Sequence, residues 1–245
     1  MSKALQVRNQ TINTEKVVTL LANYQMLPQF LRELITDQAI ASISCTPEEK
    51  ANACEQFYQK HQLICESERQ ELLKLYEMTP EEFEALATRE QRIEKFKQAT
   101  WGHKLESYFL RRKSLLDKVI YSLIRTKDVG IAHELYFRIQ EGEQSFSELA
   151  RQYSQGSEAQ TGGLLGPIEF GKISQNLAKM LHVSRVGQLW PPTRSGESIV
   201  IVRLEQLIPA RLDESMRQQL LDELFEDWLQ AQLVELTSSG LIALD

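Results

Sequence analysis

The stretch Phe146 to Pro167, FSELARQYSQGSEAQTGGLLGP, constrains what this chain can fold into more than any other. Phe146, Leu149, Ala150 and Tyr153 share one helical face, so the stretch opens as a short amphipathic helix. A polar loop follows and closes on Gly162-Gly163, with Gly166 and Pro167 just beyond. Glycine and proline in such a cluster end one element and start another. From Leu164 to Phe170 the pattern predicts a short strand.

The flanks extend this into a small layered unit. Val119 to Ile124 reads as a strand, 128–141 and 146–154 as helices, Ser174 to Leu181 as a third helix, and Ile199 to Leu204 as a closing strand. Strands separated by helices over so short a span imply an α+β layer fold. Trp190-Pro191-Pro192 reads as a rigid turn with a tryptophan covering the sheet. An apolar lip for a bound peptide is the alternative.

Residues 1–118 read as helical throughout. Pro28 suits the first turn of a helix carrying Phe30, Leu31, Leu34 and Ile35. Thr46-Pro47-Glu48-Glu49 and Thr79-Pro80-Glu81-Glu82 are two helix starts of the same design. Threonine accepts a hydrogen bond at the cap, proline fits the first turn, and the second glutamate returns the bond. Ser67-Glu68-Arg69-Gln70 reads as a third start. From Pro80 to about Lys118 the spacing predicts one long helix, or two broken near Gly102. After Pro209, residues 213–236 carry apolar side chains at 216, 220, 221, 224, 225, 228, 229 and 233, a 3.6-residue period. Such a face must be buried, so this helix is expected to return to the N-terminal helices.

Composition narrows the function classes. The chain has 245 residues, ample for a buried core, and a net charge of −6 that argues against a general nucleic-acid binder. Cys45, Cys54 and Cys65 form no paired framework; a Cys54–Cys65 bridge stays open if the protein is exported. No window has the ~18 continuous apolar residues of a membrane helix, and residues 1–16 lack an apolar core of signal-peptide length. No metal-binding motif, glycine-rich phosphate loop or other cofactor constellation is present, so no cofactor and no metal are expected.

The Phe146–Pro167 grammar resembles the signature of the parvulin (PpiC, rotamase) family of peptidyl-prolyl cis-trans isomerases. The match extends from Ala132 to Gln188, and residues 119–207 look like one parvulin domain. The whole layout resembles SurA and trigger-factor-like chaperones. It implies an α+β architecture in which an all-helical chaperone module, 1–118, is completed by the C-terminal segment, 208–245, with one parvulin-like α/β domain inserted.

The resemblance also implies a site. In the family, histidines stand on the first and last strands, an Asp or Cys lies in the loop, and apolar side chains hold the proline ring. The chemistry is rotation about X-Pro bonds, against a barrier of about 20 kcal/mol. Here the first-strand histidine position falls on Leu123, or on Ser122 one residue earlier. The loop acid falls on Gly156, the common aspartate after the double glycine on Leu164, and the last-strand histidine on Ser198 or Ile199. The ring-holding positions fall on Ile173 and Leu177, without an aromatic wall. None of His61, His103, His133 and His182 matches a family slot; His133 and His182 read as helix-surface or packing residues.

The expectation is therefore a SurA-like chaperone that binds unfolded polypeptides and proline-containing peptides, with Ile173, Leu177, Trp190 and Ser198 touching substrate and a degenerate catalytic pocket. An active isomerase serving secretion is the first alternative, and a non-enzymatic scaffold for a fixed partner the second. Taken alone, the sequence reads as cytoplasmic; the resemblance implies a periplasmic protein whose signal has been trimmed.

Overall fold

The computed structural model describes residues 5–7, 10–12, 14–63 and 65–238. The chain divides into two compact units, Met1–Leu105 with Glu214–Asp245, and Glu106–Asp213.

The first unit opens with β1 (Leu5–Val7) and β2 (Gln10–Ile12), an antiparallel pair that departs from the all-helical reading of 1–118. Six helices follow: α1 (Thr14–Asn23), α2 (Leu27–Ile40), α3 (Pro47–Lys60), α4 (Glu66–Leu75), α5 (Pro80–Ala87) and α6 (Arg89–Trp101). Both TPEE starts form as expected. The Thr46 and Thr79 hydroxyls accept from the N–H of Glu49 and Glu82 at 3.2 and 3.1 Å, and each glutamate accepts from its threonine's N–H at 2.7 Å. Replacing Thr79 with alanine is expected to cost about 1 kcal/mol, read as a small drop in denaturation midpoint. The third start lies earlier than Ser67. Cys65 is its cap, because the Glu68 carboxylate accepts from the Cys65 N–H at 3.0 Å.

The helical run expected after Pro80 breaks near Gly102, as one of the two readings had it, and also at Thr88. Buried Thr88 donates its hydroxyl back to the Glu84 carbonyl at 2.7 Å and ends α5. Such back-bonding competes with the helical ladder and bends it. A 3-10 turn at Gly102–Lys104 then separates α6 from α7 (Leu105–Leu116). All three cysteines are free, so the Cys54–Cys65 bridge is not formed.

Most of α7 belongs to the second unit, which therefore begins before residue 119. Its further elements are β3 (Lys118–Thr126), α8 (Val129–Gln140), α9 (Phe146–Tyr153), β4 (Leu164–Glu169), α10 (Gln175–His182), β5 (Leu189–Ser195) and β6 (Ser198–Ile208). The sheet order is β4-β3-β6-β5, with every pair antiparallel. Strand β5 replaces the turn expected at Trp190-Pro191-Pro192. It is an edge strand, where proline is tolerated, and its pairing with β6 shifts between Trp190 and Thr193, across the two prolines.

The sheet is covered on both faces. Ile124 and Ile201 turn one way, onto Leu135 of α8 and Phe146, Leu149 and Ala150 of α9. Tyr121, Leu123, Val200, Val202 and Leu204 turn the other way, onto Phe170, Leu181 and the apolar side of α10. Tyr153, expected on the buried face of α9, lies at its exposed edge.

The last helix, α11 (Glu214–Ser238), returns to the first unit as its apolar period requires. It packs on α2 and α6 and buries Met216, Leu220, Leu221 and Leu229. Phe96 and Trp101 of α6 meet Phe225 and Trp228 in one aromatic cluster, with the Phe96 and Trp228 centroids 5.4 Å apart. Beside it the buried Lys97 ammonium reaches Asp222 at 2.5 Å and also Glu94. Burial alone would lower the Lys97 pKa; the bonds to Asp222 and Glu94 outweigh it and raise it. Arg32 of α2 pairs with Glu226. The protein is thus mostly helical, with one small antiparallel sheet in its inserted domain.

Candidate functional site

Successive strand residues point to opposite faces, so β3 sends Tyr121, Leu123 and Arg125 to one side. On that side a cavity of about 270 Å³ opens between the sheet and α10. Leu123, Leu165, Ile168, Val200, Ile173, Leu177 and Met180 make its apolar wall. Lys172, Thr193, Arg194 and Ser195 stand on the polar side with Arg125. An apolar cavity of roughly 150 Å³ holds a six-membered ring, so this one has room for a pyrrolidine ring and part of a neighbouring residue.

The structure brings three of the sequence-chosen positions together. Leu123, Ile173 and Leu177 all line the cavity. Ser122, the alternative to Leu123, faces away and donates its hydroxyl to Glu205 at 2.5 Å. Trp190 and Ser198 are not among the lining residues. The Trp190 ring packs against the cluster beneath the cavity and donates its indole N–H to the Ser184 hydroxyl at 2.6 Å. Ser198 pairs with Ser195 at the β5–β6 turn, and Ile199 lies beside it, opposite Thr126 and Arg194. Leu164 is half-exposed at the start of β4, and its carbonyl accepts from the Thr161 hydroxyl at 2.7 Å. No histidine lines the cavity: the His182 ring stacks on Phe170 at 3.8 Å and His133 is exposed on α8.

Among the lining residues that the sequence reading did not single out, two carry chemistry. Tyr121 supplies an aromatic wall that Ile173 and Leu177 do not, and Arg125 supplies a cation. Strand alternation on either side of Leu123 is the signal that finds both. Burial raises the Tyr121 hydroxyl pKa; Arg125 opposes that shift and Glu158 adds to it.

Gly156 opens a 3-10 turn, Ser157–Thr161, in extended backbone that any residue can adopt. Space, not conformation, explains its lack of a side chain. A Cβ here would lie 2.1 Å from Oε2 and 2.4 Å from Oε1 of Glu158, whose side chain folds back into that volume. Glu158 is only 4% exposed. Its carboxylate accepts from the Ser154 hydroxyl at 2.7 Å and faces Arg125 Nε at 3.7 Å. The Ser154 oxygen in turn accepts from the Arg125 N–H at 3.0 Å, and the Glu158 carbonyl accepts from the Gly163 N–H at 2.8 Å. A buried carboxylate needs such partners, because leaving it unpaired costs several kcal/mol. Among the described residues no group of His, Cys, Asp and Glu could hold a metal ion.

Residues 125–206 match the family model for Rotamase, the PPIC-type PPIASE domain. Among solved structures, the chain is similar to peptidylprolyl isomerase PrsA from Bacillus cereus at 21% identity, over 98% of this chain and 92% of that one, with a TM-score of 0.51. The likeness shows a shared fold. PrsA from Bacillus anthracis is similar at 18% identity over 86% of this chain and 97% of that one, TM-score 0.44. The parvulin domain of PpiD from E. coli shares 28% identity over 40% of this chain and 95% of its own, TM-score 0.35. No curated protein matches.

Proposed function

We propose, from the premise that residues 125–206 are a PPIC-type PPIASE domain, that this protein is a folding chaperone that holds proline-containing segments of unfolded polypeptides and turns over their X-Pro bonds slowly. One observation carries this reading: the cavity keeps its apolar walls, while the positions matched to the family's histidines, Leu123 or Ser122 and Ser198 or Ile199, carry no histidine, and the loop-acid position is Gly156. Apolar walls are what grip a proline ring. Groups that favour the twisted amide over the planar one are what lower the barrier to rotation.

The helical unit supports the chaperone half. Val18, Tyr24, Met26, Phe30 and Leu34 of α1, α2 and their connection are each roughly half-exposed or more. Exposed apolar side chains gathered in one region mark a surface for other chains, and methionine and aromatics adapt to varied partners. The proposal includes action outside the cytoplasm, as the SurA-like resemblance implies. No helix among the described residues is long and apolar enough to cross a membrane.

The test pairs two measurements on the full chain. Light scattering should show that it suppresses aggregation of a chemically unfolded client. An NMR titration should show an uncharged Xaa-Pro peptide shifting Leu123, Ile173 and Leu177. Leu177→Glu, a charge in the apolar wall, should weaken that peptide at least tenfold, about 1.4 kcal/mol, with the sheet's amide spectrum retained. A protein that neither protects the client nor binds the peptide would refute the reading. A working isomerase is the second reading, favoured by Tyr121 and Arg125 in the cavity.

A further inference from the structure

We propose that Arg125 is the catalytic residue that this cavity applies to a bound prolyl amide, and that Glu158 is its positioning residue. The inference rests on the reading of the cavity as a proline site and adds the group that acts there.

The residue-156 side-chain position is filled, not empty: the Glu158 carboxylate stands where a Cβ of residue 156 would be. Oε1 of this carboxylate, 4% exposed, accepts from the Ser154 hydroxyl and faces Nε of the Arg125 guanidinium at 3.7 Å. Arg125 keeps 46% of its side chain exposed and lines the cavity beside Tyr121 and Leu123. Its backbone is fixed at both ends, with its N–H donated to the Ser154 oxygen and its carbonyl accepting from the Gln155 N–H at 2.9 Å. The guanidinium is thus drawn electrostatically toward Glu158 on its Nε side, while the residue lines the cavity. Arginine has five such donors and no acceptor, and it stays charged at every accessible pH.

The chemistry follows from the amide. In the planar ground state the nitrogen lone pair is delocalised and accepts no hydrogen bond. As the C–N bond twists, the lone pair localises on nitrogen. An N–H aimed at that nitrogen is therefore made in the transition state and not before, the condition for raising the rate and not merely the affinity. A donor to the carbonyl oxygen would favour the planar form and slow rotation. No bond forms or breaks, and no proton moves. Glu158 touches no substrate; it keeps the guanidinium from swinging into solvent.

Two-dimensional exchange NMR on an uncharged Xaa-Pro peptide tests both roles in the full chain. Arg125→Gln should lower the saturated exchange rate about tenfold or more while changing the peptide Kd less than about threefold. Arg125→Lys should recover part of the rate. Glu158→Gln keeps the size and the Ser154 contact, and should lower the rate about threefold. It should lower it no further when Arg125→Gln is already present. An Arg125→Gln protein as fast as the parent overturns the proposal. A Glu158→Gln loss that persists undiminished in the Arg125→Gln background overturns the positioning role. If the parent binds the peptide but does not speed exchange, this inference falls and the proline-site reading stands. If the parent does not bind, the reading beneath it falls too.

Discussion

A Gly166→Ala protein should lose about 3–4 kcal/mol from the unit that holds the cavity. Two costs combine. Gly166 has φ +112°, a conformation that residues with a Cβ rarely adopt. The added methyl would also stand 2.5 Å from the Val119 carbonyl oxygen and 3.1 Å from the Ile120 Cα. Both are backbone atoms of a central strand, which cannot move without breaking its ladder. Gly162→Ala is the internal comparison. Its Cβ would meet the Ser147 hydroxyl at 2.1 Å, a flexible side chain that can rotate away, so it should cost about 1–2 kcal/mol. The chain's three tryptophans make the readout local, because Trp190 lies in β5 while Trp101 and Trp228 belong to the helical unit. With 5-fluorotryptophan, the Trp190 resonance should report unfolding at lower denaturant in Gly166→Ala. An unchanged Trp190 midpoint would show that the strand accommodates the methyl and that the glycine is not required there.

The second large effect belongs to the returning helix. Leu220→Ala should cost about 2–5 kcal/mol, the range for emptying a fully buried leucine site. Leu220 is 0% exposed in α11, which packs on α2 and α6. The loss should appear at Trp101 and Trp228, and as faster amide exchange in α2 and α6, far from residue 220 in sequence. Exchange that quickens in α11 alone would mean that the helix lies on a unit already complete without it.

The elements that the sequence revealed are those with local causes. The two TPEE starts, the period of α11 and the glycine-closed loop after α9 each state their structure within a few residues. What stayed hidden depends on tertiary context. Strand β5 carries two prolines and reads as a turn; only its place at the sheet edge makes it a strand. Thr88 breaks a helix that its propensity would allow, because its hydroxyl turns back to the Glu84 carbonyl.

The site divides in the same way. Leu123, Ile173 and Leu177, chosen from the family resemblance, all line the cavity. Trp190 and Ser198, chosen the same way, lie outside its lining, because proximity in sequence to the closing strand does not give a direction. Glu158 could not be read at all. Its carboxylate occupies residue 156's space only because a 3-10 turn folds it back, and no linear pattern encodes that.

The pairing of α6 with α11 sets an order of assembly. Phe96, Lys97 and Trp101 are made early, while Asp222, Phe225 and Trp228 come only after the whole inserted domain. On a ribosome the chain emerges N-terminus first. During that interval α6 carries an unburied aromatic surface and an ammonium that still lacks its Asp222 partner. The helical unit can close only once α11 has been made, by which time every residue lining the cavity of the second unit has been synthesised.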